Sequence, residues 1–217
     1  TSSVGAVYDG AMGYMLERDA GILDGGLQPE PVVGEAWADF LNDTAGRHVR
    51  REHVVGALER ARGGMVEEGC VGGGTGMRAY SFKAGIGTAS RRVPCGNEVY
   101  TVGVLVQANH GRRPQLVVDG VPVGKEIPEL LPERGEKTKS LLVVIATDAP
   151  LIPIQLQRLC KRATLGMART GAISTHGSGD LLLAFSTAQR FAREPLQQVG
   201  ALANSEISHL FQGAVEA

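Results

Sequence analysis

The chain has 217 residues and a formal net charge of −1 at pH 7, with 22 Lys and Arg against 23 Asp and Glu. That balance gives no electrostatic reason to expect nucleic acid or an acidic membrane surface as a partner. No apolar run reaches the length of a membrane span, and the length suits one α/β domain with a real core or two small ones.

Three cysteines, Cys70, Cys95 and Cys160, form no Cys-x-x-Cys pair, which favours reduced thiols in a cytoplasm over a disulfide framework or a zinc site. Nothing at the start reads as a signal peptide. Thr1 is not an initiator Met, so residues are expected upstream, and a signal directing the protein to a periplasm would lie there.

Ser2 or Ser3 can cap a helix that turns Val4, Val7, Met12, Met15 and Leu16 inward and leaves Glu17 and Arg18 exposed. Residues 21–31 read as Gly/Pro-rich loop, Val32–Trp37 as a short strand, and Leu41-Asn42-Asp43 as a turn. Between Arg51 and Arg62, Val54, Val55, Leu58 and Ala61 recur at helical spacing up to a stop at Gly63-Gly64. Strands are predicted over Met65–Cys70, Tyr80–Thr88, Tyr100–Ala108 and Gln115–Val118, the last ending in a tight Asp119-Gly120 turn. The apolar run from Ser140 to Thr147, closed by Asp148-Ala149-Pro150, reads as a buried strand. A helix over Pro153–Arg169 presents Ile154, Leu156, Leu159, Cys160 and Ala163, and then come a strand over Leu181–Ser186 and a closing helix over Leu196–Glu216. Strands grouped between helices, rather than alternating regularly with them, indicate a layered α+β fold.

Several residues invite chemistry. Ser140 opens its strand after the polar stretch Pro132–Lys139. Were the bond before it cut, its free α-amine, with a pKa of roughly 7.7–8.0, could take the proton of its own hydroxyl. Ser140 also suits an ordinary strand residue. Glu35 sits in an apolar segment beside Trp37 and can hold a substrate ammonium by a charge-assisted hydrogen bond, or be a plain surface carboxylate. Asn109 ends a strand; its side-chain amide can donate to an oxyanion, or the residue can simply make a turn. In His176-Gly177-Ser178-Gly179-Asp180 the glycines let a hydroxyl and a carboxylate press against another group, and of the five histidines only His176 stands near another candidate. The run Val71–Gly76 suggests a phosphate loop, but it lacks the Lys-Ser/Thr of a P-loop and follows a poor buried strand. A close-packed glycine turn near a site wall is the better reading.

Taken as a set, these segments resemble the self-processing aminopeptidases related to the L-aminopeptidase D-amidase/esterase DmpA and the β-peptidyl aminopeptidases. The matching runs are Ser3–Val7, Val33-Gly34-Glu35 with Leu41-Asn42-Asp43, Val71–Met77, Phe82–Thr88, Tyr100–Asn109, Gly120–Gly124, Leu142–Pro150, Ala168–Gly171 and Ser178-Gly179-Asp180. They cover nearly the whole chain, in order.

The resemblance implies an αββα four-layer sandwich of the N-terminal-nucleophile-hydrolase type. It implies one domain over residues 1–217 that lacks N-terminal and C-terminal parts of the family, with an α-chain portion at 1–139 and a β-chain portion at 140–217. Ser140 would be the nucleophile, Ser178 a second serine touching it, Asp180 the orienting acid, Asn109 the oxyanion amide, and Glu35 the anchor for a substrate's amino group, with Trp37 beside it in the substrate site. Short peptides, amides or esters with a free amino group would be the substrates, without cofactor or metal, in a homotetramer of αβ units. Two residues depart from the pattern: Lys139 replaces the glycine that usually precedes the nucleophile, and Trp37 stands where some relatives use tyrosine. Lys139 also suits an unprocessed, catalytically silent homologue serving as a binding or assembly protein. A weaker reading is an acyltransferase.

Overall fold

The computed structural model describes residues 2–24, 28–129, 131, 140–190 and 198–217. They fall into two compact units, Thr1–Val66 and Glu67–Ala217, and each is taken by itself below. The junction at Lys139 lies outside the described residues.

In the first unit, helix α1 runs over Val4–Arg18 and α2 over Arg51–Arg60. Ser3 stands at the N-cap of α1 as expected, but its side chain is buried and makes no capping bond. Glu17 accepts a hydrogen bond from the Arg51 guanidinium at 2.5 Å, tying the two helices together. Residues 32–37 form no strand, contrary to the sequence reading. Ala36 and Ala38 are buried while Val32, Glu35 and Trp37 face outward. The alternation that suggests a strand is therefore real, but a strand needs a hydrogen-bonded neighbour, and no ladder forms there among the described residues.

The second unit opens with a small hairpin, β1 (Arg78–Ala79) and β2 (Phe82–Lys83). It continues with β3 (Ile86–Cys95), β4 (Glu98–Gln107), the short α3 (Val123–Glu126), β5 (Leu142–Thr147), α4 (Pro153–Arg169), β6 (Leu181–Ser186) and α5 (Ile207–Glu216). Several boundaries differ from the sequence reading. Met65–Cys70 contributes only a single bridge, Gly69 to Ile86. The segment Tyr80–Thr88 breaks because Tyr80 and Ser81 take positive φ at the hairpin tip. β3 runs on to Cys95 because it is a sheet edge, where Arg91, Arg92 and Pro94 are tolerated. Of the expected strand Gln115–Val118, Gln115 ends a 3₁₀ turn that begins at Arg113 and only Val118 makes a β-bridge, to Val121. The Asp119-Gly120 turn is present, with φ of 49° and 81° between the bridged Val118 and Val121. The closing helix begins only at Ile207, because the backbone ahead of it bonds elsewhere, Leu202 N–H donating to Pro150 O at 3.0 Å; residues 191–197 lie outside the described residues.

The main sheet has the order β3-β4-β5-β6. The first two pairings are antiparallel and β5 runs parallel to β6, so α4 is the crossover between them. Residues Val143 and Ile145 of β5, with Val102 and Val104 of β4, meet Leu159 and Ala163 of α4 and Leu210 and Ala214 of α5 in one core. Each large apolar side chain so buried contributes roughly 1.5–3 kcal/mol. Ile154, expected inside, is exposed. The opposite face of the sheet carries half-buried Leu142 and Val144 and exposed Leu181, Leu183 and Phe185. Among the described residues this unit thus has, beside the small β1–β2 hairpin, one four-stranded sheet with α4 and α5 on one side, two of the four layers expected.

A buried cation fixes the hairpin tip. Arg113, 3% exposed, donates from Nε to Tyr80 O at 3.0 Å, from one terminal nitrogen to Ile127 O and Glu129 O at 2.9 and 3.0 Å, and from the other to Ser81 O at 3.2 Å. Its guanidinium lies 3.6 Å from the centre of the Phe82 ring. Replacing it would leave several carbonyls unpaired, at roughly 1–3 kcal/mol for each buried one. Arg113→Met is expected to lower unfolding stability by on the order of 3 kcal/mol in urea denaturation; a midpoint equal to that of the parent would contradict this role.

Candidate active site

Strand register gathers the second-unit candidates at one end of the sheet. Leu142 pairs with Leu181 on one side and with Gln107 on the other. Two residues before Leu142 on β5 is Ser140; two before Leu181 is Gly179, flanked by Ser178 and Asp180; two after Gln107 is Asn109. Parallel β5 and β6 both begin at this end and antiparallel β4 finishes there, so three connections deliver polar groups to one row. Slipping the register by one residue would also turn the core face outward, which makes the row as fixed as the core.

Hydrogen bonds lock the row. Gly179 N–H donates to Ser140 Oγ at 2.8 Å. Asp180 Oδ1 accepts from Ser178 Oγ at 2.8 Å and from Leu141 N–H at 3.1 Å, and Leu181 N–H donates to Leu141 O at 3.0 Å. A Cβ on Gly179 would stand 3.1 Å from Ser140 Oγ, so any side chain there would crowd the hydroxyl by a few tenths of an ångström. The serine is half-buried. It is therefore an oriented hydroxyl, bonded at its oxygen, beside a carboxylate already engaged by its neighbours.

Asn109 is wholly buried, and its Oδ1 accepts from Arg78 N–H at 3.2 Å. That bond fixes which end of the carboxamide is the acceptor and which the donor. Glu35 and Trp37 belong to the first unit, on its irregular segment. Glu35 is exposed, as a plain surface carboxylate would be, and Trp37 is 54% exposed.

Sequence reasoning missed two groups here. The donor to Ser140 is the Gly179 backbone, which no side-chain pattern announces. The imidazole beside Asp180 is His110, whereas His176, adjacent in sequence, is exposed. His110, Ser178 and Asp180 line a cavity of about 20 Å³, large enough for one water molecule. Both His110 ring nitrogens are buried without a hydrogen-bond partner among the described residues, and the ring meets Tyr80 edge-on at 5.0 Å. A larger apolar cavity of about 580 Å³ lies between the sheet and α4, reaching Leu141 and His110 but none of Ser140, Ser178, Asp180 and Asn109. The described residues contain no cluster of His, Cys, Asp and Glu able to hold a metal ion.

The description "Peptidase family S58" matches residues 1–217 of the chain. The chain belongs to that family. It is 43% identical over 238 residues to a β-peptidyl aminopeptidase of Sphingosinicella microcystinivorans, covering 100% of this chain and 58% of the relative. Among solved structures, the L-aminopeptidase D-Ala-esterase/amidase of Ochrobactrum anthropi, described as a variant of the Ntn-hydrolase fold, superposes with a TM-score of 0.88 at 38% identity. A β-aminopeptidase of a Burkholderia species gives 0.86 at 42%. These two structures cover all of this chain and extend beyond it, the matched part being 60% and 62% of their own length. The α+β, Ntn-hydrolase-like class expected of an S58 chain is the class of these neighbours.

Burial disfavours the imidazolium of His110 and lowers its pKa from 6.5, with the Asp180 charge opposing. A lowered histidine means the unfolded chain binds the proton first. The stabilisation that His110 contributes by staying neutral is thus present above about pH 6.5 and lost as pH falls below it toward the folded-state pKa. Melting temperatures measured between about pH 7.5 and 5.5 should fall less steeply in His110→Gln than in the parent; parallel curves would contradict the assignment.

Proposed function

We propose that this S58 chain is the catalytic part of an aminopeptidase that releases N-terminal residues from short peptides, amides or esters through an acyl-enzyme on Ser140. The observation that carries this reading is the row Asn109, Ser140, Ser178-Gly179-Asp180 at one end of the sheet. The names of the relatives support the substrate class. Glu35 and Trp37, which the family resemblance gives to substrate binding, lie in the other unit and carry no part of this geometric case.

The chemistry begins with cleavage of the bond before Ser140, which frees its α-amine. Ser140 Oγ then attacks the substrate carbonyl carbon while its proton passes to that amine, whose pKa near neutrality suits it to the task. Asn109 donates to the oxyanion of the tetrahedral intermediate, an interaction worth roughly 2.7–4 kcal/mol where such donors have been removed. The C–N bond breaks as the ammonium returns the proton to the leaving amine. Water then attacks the ester on Ser140, and the acid product departs with the serine restored. Asp180 holds Ser178 and the Leu141 amide, keeping the first residue of the new chain aligned. The homotetramer of αβ units belongs to the same proposal and is read by light scattering on the purified protein.

Ser140→Ala is expected to lower turnover of an N-terminal amino-acid amide by at least about 10³-fold and to abolish labelling by a serine-directed acylating reagent. Undiminished hydrolysis in that variant would exclude Ser140 as nucleophile. A parent protein with no turnover on any N-terminal amide would instead favour a silent binding homologue, the reading suggested by Lys139.

A further inference from the structure

Two glycine-containing runs that stand out in the sequence, Val71–Met77 and Phe82–Thr88, take no part in the chemistry above. Their packing is close. Gly72–Gly74 form a 3₁₀ turn, and a Cβ on Gly74 would come within 2.5 Å of Gly69 O and 2.8 Å of Ile86 N. The β1–β2 hairpin follows the first run and ends in the first residues of the second, and this stretch brackets Asn109. Ala108 N–H donates to Gly85 O at 2.9 Å, Tyr80 N–H donates to His110 O at 2.8 Å, and Arg78 N–H donates to Asn109 Oδ1 at 3.2 Å. The residues before and after Asn109, and its side chain, are all held by residues 78–85.

The Lys83 side chain holds this cradle from behind. Its ammonium donates to Gly74 O at 3.1 Å, to Met77 O at 3.2 Å and to Ala84 O. Three donors are all that an ammonium has, and here each goes to main chain. Met77 O and Arg78 N–H are the two ends of one peptide unit, which is planar and rigid. Lys83, together with Ala84 N–H at 3.0 Å, therefore grips the oxygen end of the same plane whose N–H end grips Asn109. A cation on the carbonyl also polarises the unit and strengthens its N–H as a donor.

We propose that Lys83 is a positioning residue for the reaction: through the Met77–Arg78 peptide it sets the orientation of the Asn109 carboxamide and hence of its donor. The inference rests on the aminopeptidase reading for its kinetic part only. The role belongs to an ammonium with three donors, and methionine keeps the length of the stem while removing them.

The test is a double-mutant cycle on the purified, full-length protein, paired with amide exchange. Lys83→Met is expected to lower kcat about ten-fold with KM within about two-fold, the pattern of an interaction made in the transition state. In an Asn109→Ala background the same change should cost no more than about two-fold, because residues acting through one another are not additive. Hydrogen exchange at the Arg78 amide reads the bond to Asn109 without any turnover and should rise at least about ten-fold in Lys83→Met. Equal kcat losses in both backgrounds, or unchanged protection of the Arg78 amide, would overturn the proposal. An inactive parent would overturn the aminopeptidase reading while leaving the exchange measurement to decide the role of Lys83. Lys83→Gln, which keeps a donor, guards against a folding defect in the methionine variant and should fall between it and the parent.

Discussion

One carboxylate oxygen, Asp180 Oδ1, joins the start of one strand to the loop before the next. It receives the Leu141 amide from the head of β5 and the Ser178 hydroxyl from its own loop. With the Gly179 amide on Ser140 Oγ, the link makes the first residues of two parallel strands a single polar unit. A chain cut before Ser140 would otherwise fray there, since termini stay ordered only when something ties them down. Here the tie is the carboxylate that follows the Gly179 amide bonded to Ser140 Oγ.

Everything else in the second unit places that link. The crossover through α4 makes β5 and β6 parallel, so their first residues meet; antiparallel β4 returns Asn109 to the same edge. Behind Asn109 stands a layer of cations on carbonyls, with Arg113 under the hairpin tip and Lys83 under the Met77–Arg78 peptide. A guanidinium or ammonium bonded to main chain fixes backbone position directly, and in this row backbone amides such as Gly179 N–H and Arg78 N–H donate to side chains.

The sequence carried much of this. α4 and β6 lie where periodicity and apolar runs placed them, because α4 buries a regular face against the sheet and β6 pairs along its whole length with β5. The Asp119-Gly120 turn was legible because its residue types tolerate positive φ. Val32–Trp37 misled because alternation reports sidedness and not pairing. β3 was cut short because edge strands carry charges that mimic loops. Ser140, Ser178, Asp180 and Asn109 were readable one by one as polar residues at strand ends. Their convergence was implied by the family resemblance alone, since physically it depends on register between strands far apart in sequence. Gly179 N–H and the Met77–Arg78 peptide were invisible because backbone donors have no sequence signature. His110 was passed over in favour of His176, which stands two residues from Ser178 in the chain but is exposed.

The account turns on Ser140 being the first residue of a chain, since only then does its hydroxyl have a base attached to it. Denatured mass spectrometry of the purified protein, with N-terminal sequencing of each species, tests that directly. Two polypeptides, one starting at Ser140, are the predicted result. A single polypeptide that runs uncut through Lys139 and Ser140 would contradict it, because the proton acceptor of the proposed reaction would then not exist.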